Sequence, residues 1–251
     1  MSRLELSSET MGRLGIREGD LTTSFPEFEA VKNRFTYGEA RRQGSLDERV
    51  RALVVIDCLA VLEADNLEEQ IGAALEVGVS PVEVQEVFHQ IAPYVGFPRA
   101  ERGLRVLGRV LDERGVTLPL EGQATVDEDS RLGRGIEAQG AIFGAEAIAS
   151  MREGAPEEQK WMQDYLSAFC FGDTYTRGGI DLKTRELLTF VAIITLGGAD
   201  PQARAHAAGN LAVGNDVETL LSAIATLVPY LGFPRSLNAM AAVNDAAKAE
   251  Q

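Results

Sequence analysis

Two cysteines and two histidines are all the thiol and imidazole groups that 251 residues contain. Cys58 and Cys170 form no CxxC pair and stand at no metal-like spacing, which excludes a disulfide framework and a thiolate metal site. A reduced, cytoplasmic protein without a metal is the expectation. Long apolar runs are missing too. The longest nearly uncharged stretch, residues 187–199, falls well short of the roughly 20 residues a bilayer span needs, and the first residues lack the basic-then-apolar order of a secretory signal. No membrane partner is expected. Positive charge is scarce: 24 Lys and Arg stand against 38 Asp and Glu, a net charge of −14. Nucleic acid is therefore excluded as a partner, because phosphate contacts need a basic surface. A small anionic ligand would have to be drawn in by a few local arginines against the field of the whole chain. Hydrophobic residues at 45% and charged residues at 25% exclude a disordered or collagen-like chain.

What the chain does have, it has twice. Residues 85–99, QEVFHQIAPYVGFPR, return as 221–235, LSAIATLVPYLGFPR, so that Pro93, Tyr94, Gly96, Phe97, Pro98 and Arg99 reappear 136 residues later. Upstream, YGEARRQGSLDERVRAL (37–53) matches FGDTYTRGGIDLKTREL (171–187) at an offset of 134. A repeat of this length implies two copies of one folding unit, packed about a pseudo-twofold axis. The boundaries expected are a first unit over 1–114, which includes an amino-terminal helix, a linker over 115–132, and a second unit over 133–251. Each unit is long enough to bury its own core.

The start signals are those of helices. Ser80-Pro81-Val82-Glu83 reads as a capping box with proline at its first helical position, Ser45 to Glu48 as another, and Asp200-Pro201 as a third cap. Between them apolar residues recur every three or four positions, as at Leu187, Phe190, Val191 and Ile194, and no segment alternates convincingly. GFPR interrupts a helical pattern and should join two helices. The fold class predicted is all-α, with about five or six helices per unit.

Three segments together carry a family resemblance: DLKTRELLTFVAIITLGG, HAAGNLAVGND and PYLGFPRSLNAM in the second unit, with SLDERVRALVV and APYVGFPRA as weaker counterparts in the first. The chain resembles the carboxymuconolactone decarboxylase family over most of 25–110 and 133–245. The resemblance implies an AhpD-like helical fold, cofactor-free chemistry on a small-molecule substrate, and homo-oligomers, with a tandem chain forming a trimer that imitates a hexamer of single units. Peroxidase-type members carry a CxxC pair four residues before a histidine. With His206 on that histidine, the thiol positions fall on Ala199 and Gln202, so disulfide cycling is disfavoured. Cys58 and Cys170 are then small buried apolar residues. The decarboxylase branch needs no thiol.

Function should sit where the copies differ. His206 aligns with Gln70, and His89 with Ala225. Gly197-Gly198 joins the helix bearing Arg185 and Glu186 to the one bearing His206, so the two run antiparallel, and Glu186 lies about 7.5 Å beyond the point opposite His206. A glutamate spans part of that gap, and in the peroxidase branch a glutamate about this far upstream pairs with the histidine. Glu186 and His206 are thus the candidate proton-transfer pair, and the first unit, with Ala52 and Gln70 at those places, has lost it. Arg185, Arg51, His89 and Tyr230 are the candidate substrate contacts. Arg51 and Arg185 recur in both copies, which equally fits a structural ion pair. His89 is either a packed core residue or lent across the pseudo-twofold interface. Tyr230 and Tyr94 read as core residues with a polar tip near the pocket. Three readings compete: a decarboxylase acting on a lactone-type anion, a non-catalytic oligomeric binding protein, and a thiol-dependent antioxidant protein.

Overall fold

A computed structural model of the chain describes residues 1–17, 19 and 21–249. The first unit consists of α1 (Arg3–Leu14), the single turn α2 (Leu21–Ser24), α3 (Pro26–Asn33), a widened π-helical segment (Arg34–Glu39), α4 (Glu48–Leu62), α5 (Leu67–Glu76), α6 (Pro81–Val95) and α7 (Phe97–Glu113). The second consists of α8 (Arg131–Phe143), α9 (Ala145–Glu153), α10 (Lys160–Tyr165), a π-helical segment (Leu166–Tyr175), α11 (Leu182–Leu196), α12 (Asp200–Ala212), α13 (Val217–Leu231) and α14 (Phe233–Ala249). The described residues contain no strand, and the protein is all-α as expected. None of these helices is long and apolar enough to cross a membrane.

Local chemistry explains where the helices start and stop. Ser80 caps α6: its side chain accepts the Glu83 N–H at 3.2 Å while the Glu83 carboxylate accepts the Ser80 N–H at 2.8 Å. Gly96 (φ 84°) ends α6 and Gly232 (φ 72°) ends α13, and the proline two residues on opens the next helix in each copy. Two expected caps are corrected. Asp47, not Ser45, caps α4 by accepting the Arg49 N–H, because Ser45 is drawn to the other unit, where it donates to Glu218 and its N–H donates to Ser222. Asp200 lies inside the first turn of α12 and its predecessor Ala199 supplies no side-chain cap.

The repeat extends further than the aligned sequence. Gly38 presses on the Arg3 carbonyl and Gly172 on the Arg131 carbonyl, approaches that a Cβ would block. Arg3 pairs with Glu39 and Arg131 with Asp173, so α1 and α8 are counterparts although their sequences share little. At the centre α4 packs on α11, its own counterpart, while α6 packs on α11 and α13 on α4. The expectation of a core within each unit therefore fails. One continuous cluster takes in Ile56 and Phe88 from the first unit and Phe190 and Ile224 from the second. A single unit would leave the buried faces of α4 or α11 in water.

Candidate active site

Helices α11 and α12, joined at Gly197 and Gly198 (φ 73° each), supply the two sequence-specified polar groups. His206 Nδ1 lies 2.7 Å from Glu186 Oε1, so the axial offset expected from the helix count closes completely. Gly209 makes this possible, since a Cβ there would meet Glu186 Oε1 at 2.5 Å and Ile142 at 2.9 Å. Asn210 ties the same two turns together by donating to the Glu186 and His206 carbonyls at 3.0 and 2.7 Å.

Glu186 is fully buried, and its second oxygen is also engaged: the Tyr175 hydroxyl donates to Oε2 at 2.6 Å. Burial pushes the Tyr175 phenol well above its ordinary range, which keeps it a neutral donor. The hydroxyl also lies 2.7 Å from Thr189 and 3.3 Å from the Tyr94 hydroxyl, to which the Cys170 thiol in turn donates. With the carboxylate accepting at Nδ1, the proton of a neutral His206 ring is on Nδ1 and Nε2 is free to accept one. The side chain is 9% exposed, its ring packed edge-on against Tyr94 at 5.6 Å and Phe143 at 5.3 Å between centroids. Tyr94 comes from α6 of the first unit, so the site is composite.

The remaining candidates go elsewhere. Arg185 is completely buried and committed: it donates to Gln90 at 3.0 Å, to Glu86 at 2.9 Å and to the carbonyls of Arg177 and Gly178. Arg51 is 3% exposed and donates to Thr226 and the Leu46 carbonyl, with Glu48 beside it. Neither guanidinium reaches His206, so the assignment of Arg185 and Arg51 to the substrate is corrected; both join one unit to the other. His89 is half-buried beside Arg177, Glu86 and Arg185, and burial followed by the Arg177 charge lowers its pKa below 6.5. No hydrogen bond or ring contact joins it to His206 among the described residues. Tyr230 is corrected as well. It borders a cavity of the first unit with Tyr37, because the tandem places each unit's Pro-Tyr helix against the other unit, and Tyr94 is the copy that meets His206.

Both cysteines are buried, and burial pushes each thiol up to about 12. Neither thiol is poised as a nucleophile, which counts against the thiol-dependent reading. Among the described residues no cluster of three His, Cys, Asp or Glu side chains could hold a metal ion. Tyr175 and Phe143 were not legible as site residues. Tyr175 does carry one signal: its repeat counterpart is Arg41, so it is a further mismatch of the kind that singled out Glu186 and His206.

The model of the carboxymuconolactone decarboxylase family matches residues 26–108 and again 162–245. The chain belongs to the carboxymuconolactone decarboxylase family. Within the family it is 25% identical over 115 residues to the 4-carboxymuconolactone decarboxylase of Acinetobacter baylyi, a match covering 46% of this chain and 85% of that one. A solved structure from Burkholderia xenovorans LB400, assigned as a gamma-carboxymuconolactone decarboxylase subunit, superposes with a TM-score of 0.57 at 19% identity over 100% of this chain and 99% of the other. That likeness concerns the fold. The double match of the carboxymuconolactone decarboxylase model agrees with the two tandem helical repeats seen in the structure.

Proposed function

We propose that the protein is a cofactor-free carboxy-lyase acting on a small lactone-type anion, with one proton-transfer site per chain at His206 and Glu186. The observation that carries this reading is the 2.7 Å contact between His206 Nδ1 and a Glu186 carboxylate whose other oxygen is fixed by Tyr175. Such an orienting carboxylate sets the tautomer and steadies an imidazolium. In the forward direction the bond between the substrate carbon and its carboxylate breaks and carbon dioxide leaves. The electron pair passes into the conjugated lactone carbonyl, and a protonated Nε2 delivers its proton to the carbon; the ring regains a proton from water. The substrate is its own electron sink. Since Arg185 and Arg51 are committed internally, the imidazolium is left to meet the substrate's negative charge, and Phe143 must swing aside to admit it.

His206→Ala and Glu186→Gln are expected to lower kcat for 4-carboxymuconolactone, followed by carbon dioxide release, by about 10²-fold or more, the usual worth of a positioned acid or base. Unchanged turnover in His206→Ala would sink the assignment. The binding-protein reading is favoured by one observation, the near closure of the ring behind Phe143 and Tyr94. It predicts saturable binding of the lactone with no product. We also propose a cytoplasmic homo-oligomer, specifically a trimer, joined through the exposed aromatics Phe97 and Phe233 and their neighbours Phe169 and Phe35.

A further inference from the structure

Glu186 stands at the end of a buried chain of hydrogen bonds whose direction is fixed by the groups at its two ends. Arg185 donates to Gln90 Oε1 at 3.0 Å, the Gln90 amide donates to Thr189 Oγ1 at 3.0 Å, Thr189 lies 2.7 Å from the Tyr175 hydroxyl, and Tyr175 donates to Glu186 Oε2 at 2.6 Å. A guanidinium can only donate and a carboxylate can only accept. The Gln90 oxygen therefore faces Arg185 and its NH2 faces Thr189, so the Thr189 hydroxyl gives its own proton to Tyr175 and the single Tyr175 proton goes to Glu186. Tyr94, which accepts from the Cys170 thiol at 3.2 Å, is for the same reason the donor towards Tyr175 at 3.3 Å. Arg185, Gln90, Thr189 and Glu186 are fully buried, so bulk water offers none of them another partner. Gln90 belongs to α6 of the first unit, and the chain crosses from one unit to the other twice.

The first unit begins the same chain and does not finish it. Arg51, the counterpart of Arg185, donates to Thr226, which stands in the place of Gln90. Thr226 gives its proton back to the Ser222 carbonyl at 2.9 Å, and Val55 occupies the place of Thr189. Only in the copy that holds His206 do the donors run through to a carboxylate.

We propose that Gln90 and Thr189 are positioning residues of the His206 site, which force the Tyr175 proton onto Glu186 and so limit how strongly Glu186 holds the Nδ1 proton of His206. A donor on a carboxylate takes up part of its charge. An imidazolium that faces a partly neutralised carboxylate releases its Nε2 proton more readily. This role rests on the proton-transfer reading of His206, whereas the direction of the chain can be measured without any substrate.

The test is proton NMR of the full chain, in which the Nδ1–H resonance of His206 reports the pull of Glu186; His206→Ala identifies that resonance between the two histidines. Tyr175→Phe removes the donor outright and sets the full downfield displacement. Gln90→Glu should reproduce it: a carboxylate at that position accepts from both Arg185 and Thr189, Thr189 then accepts from Tyr175, and Glu186 Oε2 loses its donor. Adding Thr189→Val to Gln90→Glu keeps the new charge but cuts its path, and the resonance should fall back to the smaller displacement of Thr189→Val alone. Thr189→Ser, which keeps a hydroxyl, should leave the resonance in place. If Gln90→Glu does not fold, Thr189→Val against Thr189→Ser decides the matter. In turnover of 4-carboxymuconolactone, Gln90→Glu is expected to lower kcat by about tenfold with KM unchanged, the loss expected for one hydrogen bond to a charged group. The proposal is overturned if Gln90→Glu leaves the resonance in place, if its displacement persists undiminished in the double variant, or if valine and serine at position 189 give the same spectrum. Absent turnover with the displacements as expected would instead overturn the carboxy-lyase reading and leave the proton path standing.

Discussion

Glu186 has no freedom left: one oxygen faces His206, the other accepts from Tyr175, and its side chain is sealed from water. Tyr175→Phe removes one of these restraints without changing the volume. It is expected to lower kcat by about tenfold, the kinetic equivalent of one hydrogen bond to a charged group, and also to lower the melting temperature, because Glu186 Oε2 is left buried without its donor although the phenyl ring still stacks on Phe171 at 4.8 Å. Steady-state kinetics alongside thermal melts separate the two. Asp57 is the opposite case. It is fully buried, neither carboxyl oxygen has a partner among the described residues, and burial raises its pKa well above 3.8. Its repeat counterpart is Val191, equally buried, so Asp57→Val is expected to stabilise the protein by about 1–3 kcal/mol. The sign with pH follows from linkage. A carboxyl whose folded pKa is raised costs stability progressively as pH climbs above its unfolded value near 3.8, where the unfolded chain ionises and the folded one does not. The gain in melting temperature from Asp57→Val should therefore be larger at pH 8 than at pH 4, and a gain independent of pH would show that Asp57 does not titrate as its burial demands.

At the scale of elements, the approach of α12 to α11 decides whether a glutamate and a histidine twenty positions apart can meet. Gly209 sets that approach. Gly209→Ala places a methyl against Glu186 Oε1, Ile142 and Phe143, and overpacking of this kind typically costs about 1–3 kcal/mol. The variant should melt lower and lose activity together, and a crystal structure should show the contact between His206 and Glu186 lengthened beyond hydrogen-bond distance. Capping motifs, GFPR breaks and the helical period were legible because each rests on interactions within a few residues. Ser45 and Asp200 misled for the same reason in reverse: a sequence rule for a cap competes with partners such as Glu218, and only packing decides which wins.

Across the whole molecule, the two units are bound by a buried ionic network in which Glu86 of α6 accepts from Arg177 and Arg185 of the second unit. Burial would raise the Glu86 carboxyl, but the hydrogen bonds from Arg177 and Arg185 outweigh it and hold the pKa below the ordinary 4.5. The network's stabilisation is present above that pH and is lost as pH falls through the lower folded value. Glu86→Gln leaves Arg185 buried and unpaired, and is expected to cost about 3–5 kcal/mol with both units unfolding in one transition, since they share a core. Calorimetry showing two separated transitions would contradict the shared core. For the assembly, native mass spectrometry is expected to find three times the 27.1 kDa chain mass, and Phe97→Ser with Phe233→Ser to shift it to the single chain.

The sequence by itself determined the helical fold, the duplication and the pair of residues to examine. Periodicity, caps and breakers act locally, and comparing two copies separates framework from what is peculiar to one. Tertiary structure alone decided that Arg185 and Arg51 are internal ties and that Tyr94, not Tyr230, faces His206. It also decided that Tyr175 completes the carboxylate's hydrogen bonds. A side chain's partner is set by the crossing of helices far apart in the chain, and an arginine reads the same in sequence whether its guanidinium ends beside a ligand or beside a buried glutamate.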